Sequence, residues 1–147
     1  PGVYIIDRGT IDIGAQATLS GTGVTIIMTS STSSNYPTIT VNGGATVSMS
    51  APTSGEYSGI AFYQDRRAPI GISSKFNGGS TMDITGSVYM PQGQLTFNGG
   101  NSISASCTQI ISNTVNFSGT NNIKANCPST GMSQITPGFA GAVKLQE

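Results

Sequence analysis

From Ile39 onward the chain repeats one arrangement of apolar and polar positions. Apolar side chains fall on every second residue either side of a small turn: Ile39 and Val41, then Val47 and Met49; Phe76, then Met82 and Ile84; Leu95 and Phe97, then Ile103 and Ala105; Val115 and Phe117, then Ile123 and Ala125. A period of two is the strand period, because successive side chains of a strand point to opposite faces. Between the halves stand Asn42-Gly43-Gly44, Asn77-Gly78-Gly79 and Asn98-Gly99-Gly100. Glycine turns through positive φ at no steric cost, so these triplets read as bends. The last two copies, Leu95 to Cys107 and Val115 to Cys127, are offset by 20 residues, 95 to 115. Earlier forms run from Ile39 to Ala51 and from Ser74 to Gly86. A further short strand precedes each copy: Val24 to Met28, Ile60 to Tyr63, Val88 to Met90 and Gln109 to Ser112. Nothing long enough reads as a helix.

A unit that cannot bury its apolar face alone buries it against the next copy, and self-similarity at this period is how a stacked fold is written into a sequence. Three short strands and three bends in each repeat predict an all-β fold, a right-handed parallel β-helix of about five coils, roughly 20 to 25 Å long at the inter-strand spacing. Residues 1–147 form a single domain in this reading, with coils over 1–127 and an irregular C-terminal cap over 128–147. The first coil runs from Tyr4 to Gly21, bending at Arg8-Gly9 and again at Gly14-Ala15, where the turn reads one residue shorter than the later ones. Thr29 to Pro37 is a polar insertion, and Ala68 to Ser74 reads as another extended loop.

Cys107 and Cys127 each lie seven residues after the second residue of their turn pair, Gly100 and Thr120. Stacked coils bring equivalent Cα atoms to about 5 Å, inside the usual disulfide window. A Cys107–Cys127 disulfide is therefore expected, with two buried free thiols as the alternative. Such a bridge implies an oxidising compartment.

Composition narrows the chemistry. Charged residues make up 8% of the chain and the net charge is zero, which leaves no electrostatic footprint for nucleic acid or an anionic membrane. There is no histidine, and two cysteines alone do not make an ordinary structural zinc site. A serine or cysteine triad in its common form is excluded for the same reason. No cofactor is expected. The carboxylates are few, and no two recur at equivalent places in neighbouring repeats. Charge and aromatic rings concentrate once, between Glu56 and Arg67, so Tyr57, Phe62, Tyr63, Asp65, Arg66 and Arg67 form the candidate interaction surface. Within it, Asp65 with its arginines reads as a loop-capping carboxylate braced by a guanidinium rather than as a catalytic group. Aromatic faces also stack on sugars, so a carbohydrate-binding groove along Tyr57, Phe62, Tyr63, Asp65 and Arg66, with cleavage a lesser alternative, is a second reading. Threonines at 38, 40, 46, 81, 96 and 114 suggest a third, an ice-binding face, although their ranks are irregular. An uncapped end that adds strands from another copy would give a fibre.

Several stretches carry a resemblance: Gly23 to Ile27, Ser50 to Arg66 with its Ala51-Pro52-Thr53-Ser54-Gly55 and Phe62-Tyr63-Gln64-Asp65-Arg66, Gly86 to Pro91, and Cys107 to Ile111. Together they resemble the C-terminal extracytoplasmic region of TadG-like proteins, of the TadE/TadG-like group linked to assembly of Tad/Flp-type pili, over roughly residues 1 to 127. The resemblance implies a bacterial periplasmic or cell-surface module, attached to the membrane only through an N-terminal anchor that these residues do not include. It implies protein partners in the envelope or pilus and supplies no catalytic residues. The combined expectation is a non-enzymatic structural or adhesive interaction module.

Overall fold

In the computed structural model, residues 1–77, 79–99, 102–103 and 107–119 are described, and among them every regular element is a β-strand. No helix among them is long and apolar enough to cross a membrane. The strands, numbered along the chain, return again and again to three faces of one curled sheet, and every pairing is parallel. The first face stacks β1 (Gly2–Asp7), β4 (Val24–Thr29), β7 (Ile60–Gln64), the middle of β9 (Thr81–Phe97) and the first half of β11 (Thr108–Phe117). The second face stacks β2 (Thr10–Ile13), β5 (Thr38–Val41), β8 (Ile72–Phe76) and the ends of β9 and β11. The third stacks β3 (Thr18–Thr22), β6 (Thr46–Ser50), the start of β9 and β10 (Ser102–Ile103). Parallel pairing between strands far apart in sequence needs a long crossover, which the intervening faces provide. The fold is thus all-β and solenoid-like, as the period-two repeats predict.

Register follows the apolar pattern because slipping a strand by one residue would turn its apolar set outward. Val41 pairs with Ile13 below it and with Phe76 above, and Phe97 sits between Phe76 and Phe117. Phe76 and Phe97 stack at 4.8 Å with planes 8° apart, and Phe97 and Phe117 at 5.2 Å and 17°. Like residues pile into columns because parallel in-register strands place equivalent side chains one inter-strand step apart. The centre of this core is dry: Met28, Val41, Met90 and Leu95 are fully buried. Tyr4, by contrast, is 54% exposed although it pairs with buried Ile26, because among the described residues β1 pairs on one side only.

At the corner after the second face, the turn asparagines form a ladder of their own. Asn98 Nδ2 donates to Asn77 Oδ1 (2.9 Å), Asn77 Nδ2 to Asn42 Oδ1 (3.5 Å), and Asn42 Nδ2 to Asp12 Oδ1 (2.7 Å) and the Ile13 carbonyl (3.2 Å). Each amide supplies both a donor and an acceptor, so one residue type serves successive levels. Gly44 and Gly79 that follow have φ of 79° each, the left-handed conformation that the sequence assigns to glycine there.

Three expectations are corrected. The turn after Ile13 is not shorter than the next: Ile13 pairs with Val41 and Thr18 with Thr46, so both bends contain the same number of residues. Ala68 to Ser74 is not a loop throughout, because β8 begins at Ile72. Its Ser74 hydroxyl, buried where the β5–β8 ladder stops short, accepts the Ile39 N–H at 3.1 Å. The segment from Met82 to Phe97 is not three strands parted by loops but one strand, β9, that serves all three faces. It rounds its first corner at Gly86 (φ 140°), where a Cβ would lie 2.7 Å from the Ala51 Cβ and 3.3 Å from the Gly59 carbonyl oxygen, so no side chain fits. The threonine ranks are irregular, as the sequence reads: Thr46 and Thr81 lie on the third face, whereas Thr38, Thr40, Thr96 and Thr114 lie on the second, interrupted by Lys75 and Gln94.

Cys107 is completely buried, and no described cysteine is free. Its expected partner, Cys127, and the expected cap over 128–147 lie outside the described residues.

Candidate interaction surface

The first face carries outward side chains that repeat from level to level. Ile5 pairs with Ile27, Ile27 with Tyr63, Tyr63 with Tyr89 and Tyr89 with Ile111, so an outward column of two aromatic and three aliphatic residues climbs the face. Tyr63 and Tyr89 stack at 5.3 Å with planes 19° apart. Their faces are turned to one another along the stack, and their phenol ends point away from the core.

The candidate residues divide around this column. Tyr63 belongs to it. Arg66, exposed at the corner, reaches back to Tyr89: its Nε donates to the phenol oxygen at 2.8 Å, and its guanidinium carbon lies 5.5 Å from the ring centroid. A guanidinium over an aromatic face gains from the ring's quadrupole as well as from the hydrogen bond. Gln92 Nε2 donates to the Arg66 carbonyl at 3.5 Å from the next level.

Asp65 and Arg67 make a separate cluster on the same corner. The Asp65 carboxylate accepts the Thr29 hydroxyl (2.7 Å), the Arg67 backbone N–H (2.9 Å), and the Arg67 guanidinium through Nε (3.1 Å) and Nη2 (2.6 Å). Hydrogen bonds from the Arg67 side chain hold this carboxyl well below the usual carboxylate range; burial opposes them and ranks next, and the bonds from the Arg67 backbone and from Thr29 lower it further. Asp65 pulls the Arg67 guanidinium further up in turn. The group is therefore a fixed anion that closes the turn after β7, the bracing role expected of it, with Arg67 as the brace and Arg66 turned elsewhere.

One candidate leaves the surface, and another stands apart from the column. Phe62 is 2% exposed and pairs with Ile26 and Val88 in the core, so it takes no part in an interaction surface or a sugar groove. Adjacent residues on a strand face opposite ways, and Phe62 and Tyr63 were grouped by sequence proximity against that rule. Tyr57 is half-buried in the loop before β7 and, among the described residues, stacks on neither tyrosine of the column. Tyr89 was missed. The signal that would have found it is the register itself, which puts Tyr89 one level above Tyr63. Beside it lies a recess of about 200 Å³ lined by Gly59, Ile60, Ser87, Gln109 and Ile111 among others.

No family profile, no curated protein and no solved structure matches this chain.

Proposed function

We propose that this chain is a non-enzymatic, extracytoplasmic interaction module: a right-handed parallel β-helix of about five coils, stapled by a Cys107–Cys127 disulfide, that acts as a rigid spacer in Tad/Flp-type pilus assembly or surface adhesion. The observation that carries this reading is the in-register piling of like residues on successive levels, inside as Phe76–Phe97 and outside as Tyr63–Tyr89. Such columns make a stiff rod whose outer surface repeats, which suits a spacer more than a cleft enzyme. The disulfide rests on the burial of Cys107 and the absence of a free cysteine among the described residues, with Cys127 the other cysteine in the chain. Pilus and envelope partners, the bacterial location and an anchor outside these residues rest on the sequence resemblance to TadG-like proteins.

The test is site-specific photo-crosslinking in living cells, with the crosslinker at position 89 and a control at Lys75 on the second face. Adducts at position 89 to a pilus or envelope component support the reading. A crosslinker that reaches none, while the protein is exported and folded, sinks it. Mass measurement of the purified chain with and without reductant decides the staple: a gain of two hydrogens on reduction is expected.

A further inference from the structure

A second concavity on the described residues lies away from the tyrosine column. It is an open basin of about 610 Å³ where the chain turns from β1 to β2, walled by the insertion after β4. Asp7, Arg8, Thr10, Asn35, Tyr36 and Thr38 line it. Its volume falls within the usual range of small-molecule sites.

The walls are fixed before any ligand arrives. Asp7 accepts the Ser31 backbone N–H and hydroxyl, each at 2.8 Å, which ties the insertion to the first level and holds the Asp7 carboxyl below its ordinary range. The Arg8 N–H donates to the Thr29 carbonyl, and the Gly9 N–H to the Asn35 carbonyl. Arg8 and Asn35 both hold positive φ, 69° and 55°. Non-glycine residues keep that conformation only where their surroundings over-determine it, and such residues gather at ligand clamps.

What the basin offers is polar and close to electrically neutral. The one cation, Arg8, sits 3.4 Å from Asp7 through Nε. This leaves its terminal nitrogens as donors and removes the net positive charge that a phosphate would seek. The side chains of Thr10, Thr38 and Asn35 have no hydrogen-bond partner among the described residues. Thr10 and Thr38 are register partners on adjacent levels, so their hydroxyls repeat at about 4.8 Å, a spacing that a pyranose ring spans. Tyr36, 5% exposed, adds an aromatic wall. Hydroxyls, a carboxamide that both donates and accepts, a partly neutralised guanidinium and an aromatic wall match a ligand dense in hydroxyl groups.

We propose that this basin is a binding site for a neutral saccharide, distinct from the tyrosine column and independent of the pilus reading. Two substitutions test it without straining the backbone. Arg8→Gly and Asn35→Gly each remove a lining side chain where glycine adopts the observed φ freely.

The experiment is an NMR titration of the isotope-labelled full chain with short neutral oligosaccharides derived from glucans, galactans and mannans, with uronate-bearing oligosaccharides in parallel. Thermal melts check that both variants stay folded. Saturable shifts at the amides of Gly9, Thr10 and Asn35 with a neutral ligand, weakened about tenfold or more in each variant, are expected. The proposal is overturned by the absence of saturable shifts with every neutral sugar, by shifts that map to Tyr63 and Tyr89 instead, by unchanged affinity in both folded variants, or by binding confined to the uronate series.

Discussion

Two aromatic stacks climb the same molecule, one inside and one outside. Phe76 and Phe97 sit 4.8 Å apart within the core, and Tyr63 and Tyr89 sit 5.3 Å apart on its surface. The cause of the stacking is shared: parallel strands in register repeat side chains at one inter-strand step. The consequences differ because of solvent. The inner rings are removed from water on all sides, so their stacking comes with the full hydrophobic gain. The outer rings keep their hydroxyls wet, and one of them is tied to Arg66. The inner column therefore holds the levels together, whereas the outer column displays what the levels have aligned.

If that division is right, the largest loss comes from inside. Phe97→Ala, which removes the middle ring of the stack, should cost about 3 to 5 kcal/mol, read as a drop in the urea midpoint. A loss no greater than that of Tyr89→Ala would break the comparison.

Next in size is the asparagine ladder that edges the core. Asn77→Ala strips a partner from both Asn42 and Asn98. Because these amides are half-buried, water replaces part of what is lost, and about 1 to 2 kcal/mol is expected. Hydrogen exchange should quicken at the turns around residues 42 and 98 and leave the first face unchanged.

On the surface, Asp65→Asn should cost about 1 kcal/mol and should also change how stability depends on pH. The folded Asp65 carboxyl titrates below its ordinary value of 3.8. Its contribution is thus complete above that value and is lost as the pH falls through the folded one. Melts across the acid range should show a shallower fall for Asp65→Asn than for the parent chain. Parallel acid limbs would mean that the Arg67 brace contributes nothing.

The smallest effect should be Tyr89→Phe, which keeps the ring and removes the acceptor for Arg66. A change of less than about 0.5 kcal/mol is expected, while partner capture by the first face should weaken. A large stability loss there would show the outer column to be structural after all.

Much of this fold was legible in the chain. Alternation around Asn-Gly-Gly at 42–44 and 77–79 marks strands and a left-handed bend because only the backbone's own sterics are involved, and Gly44 and Gly79 adopt that bend. The preceding strands at 24, 60, 88 and 109 were readable for the same reason. Reading by proximity failed where a long-range partner decides the outcome. Ser74 is in a strand because Leu95 lies beside it, and β9 runs on past Gly86 because neighbouring levels pair with it on three faces. The candidate surface shows the same limit. Period two already separates Phe62 from Tyr63, but Tyr89 joins Tyr63 only through the register between levels.

What the sequence determined by itself is the repeating unit: which positions alternate, where the chain bends, and that like must stack on like to hide the apolar half. The tertiary structure decided which residues share a column and which corner the insertion walls in. Arg8 and Asn35 are far apart along the chain and face one basin because the insertion folds back against the first level, held there by Asp7 and Ser31. Local sterics act within a few residues, so the sequence shows them directly. Register and corner geometry arise from pairings across whole turns of the chain, and no short stretch of sequence contains both partners.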